Sequence, residues 1–228
     1  MRKLVVMFDI DDVLWHLVPK WIETINNRHG TNVQPDEVTD WEIEQFFPSL
    51  TRTQVFAPII EDWFWDTLQP TEDAVKILSK IHKDGHKIKL ITATDYRNVT
   101  VKVNKILSLF PVITWNDITI TADKQSIRGD VLVDDRPKNL IGGDYHKILM
   151  SIPHNKAFDA KAHGIDRVNT LTEAYEIIKQ LAKEPCKYYK TGNLGRLDMS
   201  ICLKCKNCYD DDGGFYCSLK GNGEFKKM

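Results

Sequence analysis

A chain of 228 residues with 42% hydrophobic and 28% charged side chains is sized for one main core plus an appendage, which excludes global disorder, collagen-like repeats and a fibrous coil. Its 31 Lys+Arg against 32 Asp+Glu leave a net charge of -1, so there is no bulk electrostatic attraction to nucleic acid or to an anionic membrane. No apolar run approaches the roughly 20 residues that a membrane span needs. Neither a signal peptide nor an anchor is expected, and a cytoplasmic setting is. There, clustered cysteines more often mean metal than disulfides.

The first apolar run, residues 3–8, stops at Asp9, Asp11 and Asp12, as a strand buried on both faces of a parallel sheet would. Residues 14–70 break this pattern. They hold Trp15, Trp21, Trp41, Trp63 and Trp65, five of the six tryptophans, and read as mainly helical, with helices over 19–28 and 41–47. That length is too great for a plain connection, so a small inserted helical cap is expected. Ala74, Val75, Leu78 and Ile81 then mark one helix face, and Val99, Val103, Ile106, Leu107 and Phe110 another. Short runs rich in Val, Ile and Leu at 86–91, 117–121, 130–133 and 147–150 predict further strands. Thr170 with Glu173 forms a capping box before the apolar positions Ala174, Ile177, Ile178 and Leu181. The alternation predicts an α/β, doubly wound parallel sheet over 1–184, with its ligand crevice at the carboxyl ends of the strands.

All five cysteines and six of the twelve glycines lie in 186–228, which carries a net +3 and leaves -4 for the rest. Residues 185–228 are therefore a separate Cys-rich tail. Cys202, Cys205, Cys208 and Cys217, with Cys186 upstream, supply up to five thiolates for a site that needs four. Structural Zn²⁺ fits best, because Cys₄ coordination supplies folding energy to a segment too small for its own core. An iron–sulfur cluster and free thiols are the alternatives, and spacing does not say which cysteine is left out. Lys204, Lys206, Lys220, Lys226 and Lys227 make the tail a possible nucleic-acid contact, against which stand Asp210, Asp211 and Asp212.

Four signals in the body stand at predicted strand ends. Asp9, Asp11 and Asp12 repel one another unless a cation neutralises them, and their hard oxygens suit Mg²⁺. Asp134 and Asp135 form a second adjacent carboxylate pair after a buried run. The Thr92 hydroxyl is placed to donate to a phosphate oxygen, and Lys124 to supply positive charge to a phosphoryl group. Singly, each has a bland reading as a solvated loop start or a surface lysine. Their order, delivered to one crevice, favours function.

In that order the motifs resemble the haloacid dehalogenase-like phosphohydrolases, and 123–136, with Trp21, Asn26, Gly30, Asp40 and Trp41, resembles the 5′(3′)-deoxyribonucleotidases among them. The resemblance covers about 1–183 and implies a Mg²⁺-dependent phosphomonoesterase of (deoxy)nucleoside monophosphates. It makes Asp9 the nucleophile that forms an aspartyl-phosphate and Asp11 the general acid and base. It places Mg²⁺ on the Asp9 carboxylate, the Asp11 backbone carbonyl and Asp135, with Asp134 contacting it through water or orienting the shell, and the phosphoryl oxygens on Thr92 and Lys124. Asp12 departs from the pattern, since many relatives carry Gly there. Base stacking in the cap is open to Trp15, Trp41, Phe46 or Phe47; Trp21, Trp63 and Trp65 are expected in the cap's own core. The seven histidines show no ligand pairing and are expected on the surface or in loops. The rival readings are a phosphatase for another small phosphate or a polynucleotide end, and a zinc-organised binding protein on a phosphatase scaffold.

Overall fold

A computed structural model describes residues 2–183 and, as backbone, the paired segments Cys208–Asp211 and Gly214–Cys217. Six strands form one parallel sheet: β1 (Val5–Phe8), β2 (Lys87–Thr92), β3 (Ile118–Ile120), β4 (Val131–Asp134), β5 (His146–Met150) and β6 (Asp166–Val168). Their order is β3-β2-β1-β4-β5-β6. The chain builds outward from β1 on one side, then returns to start again on the other. Such a reversal opens a crevice at the carboxyl ends of the two strands flanking it.

The central strands β1 and β4 are apolar up to Asp134, which ends β4, because both faces are covered. Val6, Met7 and Phe8 of β1 and Val131, Leu132 and Val133 of β4 are wholly buried, and they pair residue for residue. Gly129, just before β4, is required by close approach: a Cβ there would lie 2.6 Å from the Met7 sulfur. β6 escaped the sequence pattern because its three residues include Asp166 and Arg167 at the sheet's edge.

Between β1 and the second strand run α1 (Leu17–His29), α2 (Arg52–Ile60), α3 (Asp62–Thr67) and α4 (Ala74–Lys83), with single 3₁₀ turns at Pro35–Glu37 and Ile43–Phe46. The helix expected over 41–47 is only that second turn, and Pro48 follows at once. α1 ends where Gly30 turns left-handed at φ 67° and its N–H donates to the Asn26 carbonyl. The Asn26 side chain holds the next loop through Val33 and Thr31. Trp21 is buried, with its indole N–H on the Val55 carbonyl at 2.7 Å, and Trp65 is buried as expected. Trp63 is not: it lies 45% exposed beside Glu61 and the Arg28 guanidinium.

α4 buries Ala74, Ile77, Leu78 and Ile81. Val75, expected on that face, is one residue and about 100° round from Ala74 and stays outside. α5 (Val99–Leu109) buries Val103 and Ile106, but also Lys102. The short α6 (Pro137–Leu140) follows β4, and α7 (Leu171–Lys183) closes the domain. Half of the anticipated capping box forms: the Glu173 N–H donates to Thr170 Oγ1, while the Glu173 carboxylate accepts from the N–H of Asn169, one residue earlier than Thr170.

The separate segments β7 (Cys208–Asp211) and β8 (Gly214–Cys217) pair antiparallel, with Cys208 opposite Cys217. Cys186, Cys202 and Cys205 lie outside the described residues. Cys208 and Cys217 are described as backbone alone, so the zinc expectation falls outside the described side chains.

Candidate active site

The register of the central strands sets the site. Phe8 pairs with Val133 and the Asp9 N–H donates to the Val133 carbonyl, so Asp9 and Asp134 emerge side by side with Asp135 next. One oxygen each of Asp9, Asp134 and Asp135 falls within 4.8 Å of the others, and all three residues are buried. Lys124, on the turn Lys124–Ser126, reaches between two of them. Its ammonium lies 2.7 Å from Asp9 Oδ1 and 2.8 Å from Asp134 Oδ2 and is 4% exposed.

One ammonium does not neutralise three buried carboxylates. Asp134 is well satisfied, accepting also from the Arg136 N–H and the Asn139 amide. Burial pushes Asp9 up to about 6, with Lys124 opposing. Asp135 is pushed well above the carboxylate range by burial and by Asp134 and Asp9. Burial would lower the Lys124 pKa, but Asp9 and Asp134 hold it above the ordinary lysine value. A surplus of buried negative charge on hard oxygen ligands is the environment that a divalent cation such as Mg²⁺ fits.

Asp11 stands on the tight turn after β1. The Trp15 indole N–H donates to its Oδ1 at 2.8 Å, and the Lys102 ammonium to its Oδ2 at 2.6 Å. Asp12 holds a left-handed φ of 55°, a conformation Asp tolerates better than most and Gly best. Its carboxylate accepts from the Val18 N–H in the first turn of α1, where His16 gives no side-chain cap. Burial pushes this group up to about 8 against that hydrogen bond.

A cavity of about 270 Å³ opens over these groups, and its lining includes Asp9, Asp11, Lys124, Asp135, Arg136 and Trp41. Trp41 is 39% exposed, with His154 edge-on at 3.8 Å and the Arg136 guanidinium 4.8 Å from its ring centre. Thr92 ends β2, buried, two residues beyond the Phe8–Leu90 pair, and its neighbour Ala93 lines the cavity.

Three expectations need correction. Trp15 is wholly buried against Trp65 and Asp11, so its ring has no free face for a base. Phe47 is buried and Phe46 half-buried, and neither lines the cavity. For the histidines the surface part of the expectation fails at two positions, both in loops or turns: His86 is buried and accepts from the Leu4 N–H, and the His154 side chain, 4% exposed, lies 3.3 Å from Asp135. Sequence reasoning missed Lys102, Asn139 and His154. For Lys102 a signal existed, since it stands four residues before Ile106 on the buried face of α5.

Residues 3–184 match the family described as 5′ nucleotidase, deoxy (pyrimidine), cytosolic type C protein. A 5′(3′)-deoxyribonucleotidase of Clostridium acetobutylicum is 29% identical over 160 residues, covering 69% of this chain and 87% of its own. One of Bacillus subtilis is 25% identical over 155 residues, covering 68% and 88%. Among solved structures, the magnesium-bound HAD hydrolase YfnB of Bacillus subtilis superposes with a TM-score of 0.51 at 12% identity, covering 78% of this chain and all of that one. The fold is that of the haloacid dehalogenase superfamily, and the family match with the deoxyribonucleotidase relatives defines a phosphatase. Within that superfamily the chain belongs to the 5′ nucleotidase, deoxy (pyrimidine), cytosolic type C family.

Proposed function

We propose that the protein hydrolyses (deoxy)nucleoside monophosphates to nucleoside and phosphate through an aspartyl-phosphate on Asp9, with Mg²⁺ bound. The observation that carries this reading is the convergence of Asp9, Asp134 and Asp135 on one point beside Lys124. The names of the two deoxyribonucleotidase relatives support the substrate class.

The Asp9 and Asp135 carboxylates with the Asp11 carbonyl would hold Mg²⁺, which offsets the negative charge of site and phosphate and so lets the two approach. In the first step an Asp9 carboxylate oxygen bonds to phosphorus. The ester P–O bond breaks, its electron pair goes to the leaving oxygen, and Asp11 gives that oxygen a proton. In the second step Asp11 takes a proton from water, whose oxygen bonds to phosphorus as the Asp9–phosphorus bond breaks. Lys124 and Thr92 steady the phosphoryl oxygens, while Asp134, fixed by Arg136 and Asn139, orients Lys124.

In this reading helices α1–α3 act as a cap, and Trp41 supplies the face on which a base stacks. The test is steady-state phosphate release from deoxyuridine and thymidine monophosphates, other nucleotides, sugar phosphates and 5′-phosphorylated oligonucleotides. Mg²⁺-dependent turnover led by the mononucleotides is expected. Turnover of none of them overturns the assignment, and preference for a sugar phosphate or an oligonucleotide end moves it to another substrate.

A further inference from the structure

Among the described residues, Lys102 is a buried cation that the reaction above does not use. It projects from α5 with 1% of its side chain exposed, and its ammonium lies 2.6 Å from Asp11 Oδ2 and 3.3 Å from the Ala93 carbonyl. Its remaining surroundings are aromatic: the ring centres of Trp65 and Trp15 are 4.9 and 5.8 Å from the nitrogen. Burying an ammonium is costly, and an apolar side chain of the same length would pack among those indoles at lower cost. What the charge adds is a hold on Asp11. Trp15 binds the other oxygen of the same carboxylate, so the group is fixed at two points from two elements.

We propose that Lys102, seconded by Trp15, is a positioning residue that sets the orientation in which Asp11 gives and takes its proton. This rests on the role given to Asp11 above. Lys102 also joins three parts of the machinery. Asp11 belongs to the turn after β1, Ala93 directly follows Thr92 at the end of β2, and Trp65 comes from α3. Displacing that helix would move the indole against Lys102 and, through it, Asp11. Lys102 does not line the cavity over Asp9 and Asp135, so its reach to that cavity is through Asp11.

The discriminating comparison is between leaving groups, because p-nitrophenolate departs without a proton and a nucleoside alkoxide does not. In Lys102→Met, kcat for a deoxynucleoside monophosphate should fall about 100-fold, the lower end of what a general acid contributes, with KM within about twofold. With p-nitrophenyl phosphate the same variant should release about one equivalent of p-nitrophenol rapidly and then slow, leaving acid-quenched protein phosphorylated, since only the water step still needs Asp11. Lys102→Arg should recover most of the loss, and Trp15→Phe, which removes the N–H together with part of a buried ring, should show the same split more weakly. Loss of the burst in proportion to nucleotide turnover, or no loss in either, overturns the proposal. A readout without turnover keeps it separate from the functional assignment. In crystals of Lys102→Met the Asp11 carboxylate should leave its position against Trp15; an unmoved carboxylate also overturns it, whatever substrate the wild type prefers.

Discussion

Asp9 and Asp134 leave neighbouring parallel strands at one level and share a single ammonium, that of Lys124, at 2.7 and 2.8 Å. The bridge explains how two carboxylates are tolerated side by side in the core, and it leaves Asp135 with the His154 ring, 3.3 Å away, in place of an ammonium. It also means that Lys124 serves both folding and chemistry.

Lys124→Met should therefore be costly twice. Removing one partner of a buried ion pair costs roughly 3–5 kcal/mol, and losing a charge placed against the phosphoryl group costs roughly 10²–10³ in kcat. Adding Asp134→Asn should recover part of the stability and none of the rate. Urea melts and steady-state kinetics of the two single variants and the double variant check this. Equal stability of Lys124→Met and wild type would contradict the bridge.

Metal removal has a pH signature. The Asp9 carboxyl, pushed up to about 6 from an ordinary 3.8, stabilises the metal-free fold fully below about 3.8, and that contribution is lost as pH rises through 6. Asp135 acts in the same direction. The metal-free protein is thus penalised at neutral pH, where a cation binding ionised carboxylates relieves it. The rise in Tm on adding Mg²⁺ to chelator-treated protein should be larger at pH 7 than at pH 5, and Asp135→Asn should abolish most of it. About 2.7 kcal/mol is expected at a Mg²⁺ concentration 100 times Kd.

Much of this site was legible in the sequence, because short apolar strands ending in acid have few places to go but a parallel sheet. Asp9, Lys124, Asp134 and Asp135 could be placed by order alone. For Lys102 the buried face of α5 signalled burial, but not its role, because the carboxylate it meets stands 91 positions away in the chain. His154 failed for the same reason, since its neighbours Asp135 and Trp41 come from elsewhere in the chain. Trp15 was misjudged from composition: an aromatic beside a crevice can face either way, and the Asp11 carboxylate turned this indole inward.

Asp12 offers a stability test. Its residue is only partly exposed, its backbone is left-handed, and burial pushes its carboxyl up to about 8, so the charge is unfavourable at neutral pH in the fold. Asp12→Asn keeps an oxygen for the Val18 N–H and removes that charge. It should stabilise the metal-free protein by about 1 kcal/mol, or roughly 2–4 °C in Tm for a chain of this size, and more at pH 8 than at pH 5. Asp12→Gly also removes the charge and relieves the backbone but loses the hydrogen bond to Val18, worth about 1 kcal/mol, and should stabilise less than Asp12→Asn. Thermal melts at the two pH values decide it. Destabilisation by Asp12→Asn at pH 8 would show that the charge is used.

Trp41 is the exposed aromatic of the cavity lining, and its ring is held by the His154 ring against it and the Arg136 guanidinium over it. A platform fixed in that way binds a base without losing freedom of its own, and stacking on it is worth roughly 1–3 kcal/mol. Trp41→Ala should raise KM for deoxynucleoside monophosphates about tenfold while leaving kcat within about twofold, because stacking is felt equally in the bound substrate and at the transition state. A substrate without a base, such as p-nitrophenyl phosphate or a pentose phosphate, should show little change. A loss of kcat on every substrate would instead make Trp41 a support for His154 and Asp135. Steady-state parameters on both classes of substrate separate the two outcomes.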